Sequence, residues 1–351
     1  MKRWHTLLFT IFLVLTFGTH GNAQVQTTLP DGVKKVKFLN YESCIELFNP
    51  NCRVVLGHHV GGRILAYETD GKNILYVDPD EKNWTPGDLE QTAKPSAGRF
   101  DIGPEVKLPR TGVIWNGSWT PKIVGKRKAQ LTSQIDPEFQ IQVTREFELD
   151  ETTTRLNITQ TVTNCGKREI QVSFWSRTFA IHGGIVVVPC NPELSLLPNW
   201  YYMSSSKYLI NFKPEDPNIS RIDNFLVIQG PPEKPKLGFD ATRGWVGYQA
   251  PNDLLFVKRF PVDMQRKSGE PGWSHFSVFY PQSDKLPACE IEPIGPLELL
   301  QPGASESYSV QWELLANPFP KGGILDPHKI EALVRQPVDP AWIVPEGPKG
   351  R

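Results

Sequence analysis

The stretch from residue 139 to 164, FQIQVTREFELDETTTRLNITQTVTN, alternates polar and apolar side chains on both sides of a turn at Asp150-Glu151. Successive side chains of an extended chain point to opposite faces, so this pattern makes two paired strands with one wet face and one face packed on a second sheet. Comparable short runs recur at 44–48, 52–56, 63–67, 140–149, 155–162, 170–175, 184–188, 244–248, 254–260, 275–280, 288–292 and 307–315. Turn signals such as Asn49-Pro50-Asn51, Asp70-Gly71, Asn164-Cys165-Gly166-Lys167 and Pro302-Gly303 separate them. Helical periodicity is convincing once, around 326–334, where Pro327 can open a short helix. The expectation is an all-β chain, and the lack of a linker-like break favours one large sandwich over two β domains.

The first residues have the order of an export signal. Met1-Lys2-Arg3 precede an apolar run from Leu7 to Phe17, and Gly21-Asn22-Ala23 follow. The apolar core is too short to span a bilayer, so residues 1–23 are expected to be cleaved and the protein to be periplasmic or extracellular, with no membrane contact thereafter. Removing Lys2 and Arg3 leaves 36 basic against 38 acidic residues with no long run of one sign, which argues against a nucleic-acid or anionic-membrane partner. Cysteines 44, 52, 165, 190 and 289 form no CxxC pair and no metal-ligand spacing, so no metal is expected. A Cys44–Cys52 bridge would fail if Pro50-Asn51 is a two-residue turn, because Cys52 then faces Asn49 and Cys44 faces Gly57. The domain is taken to span 24–316, with 317–351 as a Pro- and Gly-rich extension that wraps the domain or is partly disordered.

The segment ACEIEPIGP, 288–296, raises the main question about function. On a strand Glu290 and Glu292 share one face while Cys289 and Ile291 share the other. If the cysteine and isoleucine are core, the acids stand together on the opposite face. There they are either two ordinary solvated charges or a coupled carboxyl pair suited to acid–base work.

Several segments taken in order resemble the galactose-mutarotase-like (aldose 1-epimerase) superfamily, in particular an exported bacterial branch of unassigned activity. They are VVLGHHVGGRILAYETDGKNILY, AGRFDIGPE followed by WNGSW, RLNITQTVTNCGKREIQVSFWSRT, KLGFDATRGWVGY, LLFVKRF and CEIEPIGPLELLQPGASESYSVQWEL, covering about 33–316. The resemblance implies a β-supersandwich of two large, mainly antiparallel sheets whose concave face binds a carbohydrate, without a cofactor. It also implies that the general base is a glutamate on a late strand. Glu292 fits that position, with Glu290 beside it or accepting from a sugar hydroxyl.

The histidine such proteins carry after the Thr-Asn turn is absent here. Phe174-Trp175-Ser176-Arg177 stands there instead, leaving Arg177 as an orienting charge and His182 as the nearest candidate acid. Arg99 and Asp101 can pair with vicinal hydroxyls. Lys236 and the Lys258-Arg259 pair match basic positions of the branch, and Trp119, Trp200 and Trp245 are candidate stacking platforms with core packing as the alternative. His275 and the adjacent His58-His59 are weaker candidates, and two neighbouring histidines on an extended chain diverge too far to chelate one ion easily. Three functions follow: a sugar epimerase or mutarotase, a non-catalytic sugar-binding domain, and a polysaccharide lyase or hydrolase with a tyrosine base such as Tyr201 or Tyr202. The sugar and the oligomeric state stay open.

Overall fold

The computed structural model describes residues 29–104, 107–206, 209–322 and 324–335, so the expected signal segment and the last sixteen residues lie outside the described part. Among the described residues all strand pairs are antiparallel and fall into four sheets. The largest has ten strands and contains the Ile141–Leu149 and Leu156–Asn164 pair read from the alternating stretch. Its register pairs Leu156 with Leu149 and Asn164 with Ile141, and the 12-residue strand Ser305–Ala316 lies on the other side of Leu156–Asn164. On the outer face Thr159, Thr161 and Thr163 meet Ser309, Ser307 and Ser305 in cross-strand hydroxyl contacts of 2.8–2.9 Å. The inner face supplies Phe147, Ile158, Val310 and Trp312 to the main core.

A five-stranded sheet runs in chain order from Val33–Phe38 to Lys72–Asn73. In it Phe48 pairs with Arg53 and Ile45 with Leu56, and all five cysteines are free thiols. The Gly-Gly-Arg turn joins this sheet to the interior through three different requirements. Gly61 has φ +69°, in the left-handed region open to glycine, and its amide bonds Gly117 O at 2.8 Å. A Cβ on Gly62 would lie 2.4 Å from the Trp119 ring. Arg63 is 1% exposed and is paired with Glu81, which also accepts from Ser96.

The remaining sheets have three and six strands. Single bridges from Gly98 to both Ile64 and Thr178, and from Leu75 to Ala180, tie the six-stranded sheet to the five-stranded one. At one end the ten-stranded sheet is buried on both faces, so Ile185–Pro189 and Leu254–Arg259 are buried at every position; the first is a continuous apolar run, and the second is apolar up to the buried Lys258-Arg259 pair. What covers the outer face there is the C-terminal segment. Helix Pro327–Val334, capped by Asp326, sets Ile330 and Val334 on Val187, Phe225, Trp245 and Leu255.

Candidate functional site

The six-stranded sheet orders its strands Phe179–Ile181, Ala288–Pro293, Phe276–Phe279, Lys236–Phe239, Tyr201–Ser206 and Leu209–Asn211. Register then fixes a row of side chains on one face: Phe179, Glu290, Phe279, Lys236 and Ser204. All five line a single cleft of about 670 Å³. The neighbouring row runs Glu292, Ser277, Gly238, Tyr202. Gly238 is required there, because its missing Cβ would lie 2.1 Å from the Tyr202 ring, which crosses it to reach the cleft.

Cys289 and Ile291 belong to the main core, so both acids point the other way. Glu290 is 3% exposed and lines the cleft, whereas Glu292 is fully buried beside it. Arg177 joins them: its Nε donates to Glu290 Oε1 at 2.9 Å and to Glu292 Oε1 at 2.8 Å, and its Nη1 donates to Asp101 Oδ2 at 3.2 Å. Lys236 Nζ donates to Glu292 Oε2 at 2.5 Å and sits 4.8 Å from the centre of the Trp175 ring.

These surroundings split the two acids. Burial pushes the Glu290 carboxyl up to about 8, helped by the Glu292 charge and opposed by Arg177. Burial acts upward on Glu292 as well, but Lys236 and Arg177 outweigh it and hold that carboxyl well below the usual range. The two carboxyls are thus driven apart as a pair, Glu290 upward and Glu292 downward.

Behind the site, Lys258 is fully buried. Its ammonium donates to Ser176 O at 3.1 Å, Thr178 Oγ1 at 2.6 Å and Ile291 O at 2.7 Å. Those partners flank Arg177 and separate Glu290 from Glu292, so one cation fixes the backbone under all three. Burial lowers its affinity for a proton well below that of an ordinary lysine.

No protein-family model matches the chain, and no curated protein matches its sequence. Solved structures do match in shape. A galactose mutarotase-like protein from Lactobacillus casei superimposes with a TM-score of 0.53 at 10% identity, over 78% of this chain and 100% of that one. One from Clostridium acetobutylicum gives 0.52 at 12%, over 81% and 98%, and the Slr1438 protein of Synechocystis gives 0.53 at 14%, over 81% and 100%. The fold is galactose-mutarotase-like. Identities this low establish the architecture alone.

Within this galactose-mutarotase-like fold Glu290, Glu292, Arg177, Asp101 and Lys236 come together, and several other expected residues do not. His182 is held away from the cleft, with its Nε2 3.1 Å from Pro281 O and its ring edge-on to Tyr280. Trp119 is core, packed in the space left by Gly62, and Trp245 lies under the C-terminal helix on the far face of the large sheet. Trp200 is 9% exposed with the Arg221 guanidinium 3.9 Å from its ring centre. Lys258 acts on the backbone from below, and Arg259 binds Glu313 at 2.7 Å and Val334 O at 3.0 Å. Arg99 is buried behind Trp115 and bonds its carbonyl oxygen at 2.8 Å. His275 is 8% exposed, and the rings of His58 and His59 lie tilted against each other with their centres 4.0 Å apart. None of these lines the cleft. Residues that the sequence reading did not single out include Phe179, Phe279, Ser204, Lys107 and Arg110. The phenylalanines and Ser204 could have been found by carrying the register outward from Glu290; the two basic residues had no such signal.

Proposed function

We propose that the cleft binds a carbohydrate and catalyses proton transfer at its ring, as a cofactor-independent sugar epimerase or mutarotase in an exported protein. The observation that carries this is the Glu290 carboxyl. It lines the cleft, nearly buried, and burial with the Glu292 charge pushes its carboxyl up to about 8 against the pull of Arg177. In this mechanism Glu290 gives its proton to the ring oxygen of a bound aldose. The C1–O5 bond opens as the anomeric hydroxyl releases its proton to water in the cleft, and the Glu290 carboxylate recovers a proton on closure. Arg177 holds that carboxylate while it is ionised. The role of Glu292 becomes that of the fixed charge which keeps its neighbour protonated, in place of the base expected from the resemblance.

A second reading is a sugar-binding domain without catalysis, favoured by the lack of any histidine among the described residues of the cleft. Proton NMR of anomer exchange across a panel of neutral and acidic monosaccharides separates the two. Acceleration by the native protein that drops about a hundredfold or more in Glu290→Gln supports catalysis. Ligand-induced shifts with no acceleration for any sugar leave the binding domain.

A further inference from the structure

The cations of the cleft are arranged in two different ways. Arg177 and Lys236 are committed to Glu290, Glu292 and Asp101, whereas Lys107 and Arg110 enter from the loop that follows strand Asp101–Gly103 and belong to its rim. The Arg110 guanidinium is nevertheless fixed. Its carbon lies 3.8 Å from the centre of the Trp115 ring, and that of Arg99 lies 4.0 Å from a centre of the same ring. Two planar cations so close to one ring cannot share a face, so Trp115 is held between them, with buried Arg99 behind and Arg110 in front. The indole itself cannot turn freely, because its Nε1 donates to Ala93 O at 2.9 Å.

Arg110 is thus presented with most of its hydrogen-bonding capacity unused. Its side chain is 41% exposed, and its one hydrogen bond among the described residues is long, Nε to Asp101 Oδ2 at 3.5 Å. The same carboxylate oxygen lies closer to Arg177, at 3.2 Å, so a single acid serves two guanidinium groups. Three successive contacts of 3.5, 3.2 and 2.9 Å connect Arg110 through Asp101 and Arg177 to Glu290. Arg110 and Glu290 line the same cleft, linked along its wall through Asp101 and Arg177. A guanidinium held over an indole face leaves the outer edge of its planar donor fork open, and that edge can take a carboxylate or an ester oxyanion through two parallel hydrogen bonds.

We propose that the ligand of this cleft is an acidic sugar whose anionic substituent is received by Arg110, with Lys107 beside it, while the ring lies over Glu290. The inference rests on the carbohydrate reading above and specifies its substrate class. The shared chemistry is a carboxylate, sulfate or phosphate carried by a hexose.

Calorimetric titration can test it with galacturonate, glucuronate, galactose 6-sulfate and glucose 6-phosphate against galactose and glucose, at low and high salt. The native protein, Arg110→Gln and Arg110→Lys are compared, with the folding of each variant checked by its melting midpoint. The expected result is that at least one acidic class binds about tenfold or more tighter than its neutral parent, as a charged hydrogen-bonded pair should. That ratio should shrink with added salt, fall to near one in Arg110→Gln and be partly kept in Arg110→Lys. A preference confined to the uronates identifies the carboxylate, and one confined to the esters identifies the tetrahedral oxyanion. Equal binding of neutral and acidic sugars by the native protein overturns the inference and leaves the carbohydrate reading standing, as does a preference that persists in folded Arg110→Gln. Should that variant fail to fold, a salt-independent preference in the native protein overturns it equally. Binding of none of the six sugars sinks both readings together.

Discussion

At the scale of single residues, the proposed function depends on giving two chemically identical side chains different protonation states. Glu290 and Glu292 are two positions apart on one strand and share Arg177, yet only Glu292 also has Lys236. A proton donor must be in its acid form. Because burial raises the Glu290 carboxyl to about 8, anomer exchange should be fully active below that pH and fall as pH rises through it, with the limb absent in Glu290→Gln. Rates measured from pH 5 to 10 check this, and an ordinary carboxylate limb near 4.5 would contradict it. The stability consequences of the two acids oppose each other. The raised Glu290 contributes stability below 4.5 and loses it progressively as pH climbs to about 8, since the unfolded chain releases that proton first. Glu292 contributes above 4.5 and loses its share as pH falls toward its lowered folded value.

Elements place these residues, and single substitutions can test how. Lys258 binds the backbone on both sides of Arg177 and between the two acids. Lys258→Met keeps the apolar stem but leaves two carbonyls and a hydroxyl without their donor, at a cost of about 1–3 kcal/mol for each buried group. Urea titration should show that loss. Where the variant still folds, its kcat should fall more than its KM rises and the limb near pH 8 should move, because Lys258 acts by positioning the acids. Gly238→Ala tests the adjacent row. The new Cβ would press into the Tyr202 ring, so overpacking of about 1–3 kcal/mol is expected together with weaker sugar binding, both measurable on one preparation.

The same scale shows what could be read in advance. Alternation exposed the strand pair within 139–164, and the i, i+2 spacing placed Glu290 and Glu292 on one face. Strands such as Tyr201–Ser206 and Lys128–Thr132 escaped notice, being short or set in mixed surroundings. The sequence named Lys258 as basic but could not reveal that its partners lie 33 to 82 positions away, on the Ala288–Pro293 strand and in the connection that carries Arg177. Arg110 depends on a sandwich with Trp115 and Arg99 that no local pattern encodes. The misplacement of Trp119 and Trp245 has one common cause, since indoles suit a sugar platform and a core equally well until packing decides.

On the scale of the whole molecule, the C-terminal segment is part of the packing. Ile330 is 1% exposed on the outer face of the ten-stranded sheet. Ile330→Ala should cost about 2–5 kcal/mol by leaving a cavity, seen as a lowered melting midpoint, while sugar binding in the distant cleft is unchanged. Ending the chain at residue 316 should do more, uncovering Trp245, Phe225 and Val187 together and making the protein prone to association.

The ion network also sets an order of events. Its contacts join residues 56, 76, 113 and 115 positions apart in the chain. Each requires a long loop to close before it returns any stabilisation, so the network belongs to the slow end of assembly. The Asp101–Arg177 contact can close once residue 177 is in place, but the full set of charges cannot assemble until residue 292 is, long after the strands of the first sheet. Sugar binding at the proposed site should accordingly be the last property regained on refolding, trailing the recovery of β-sheet signal.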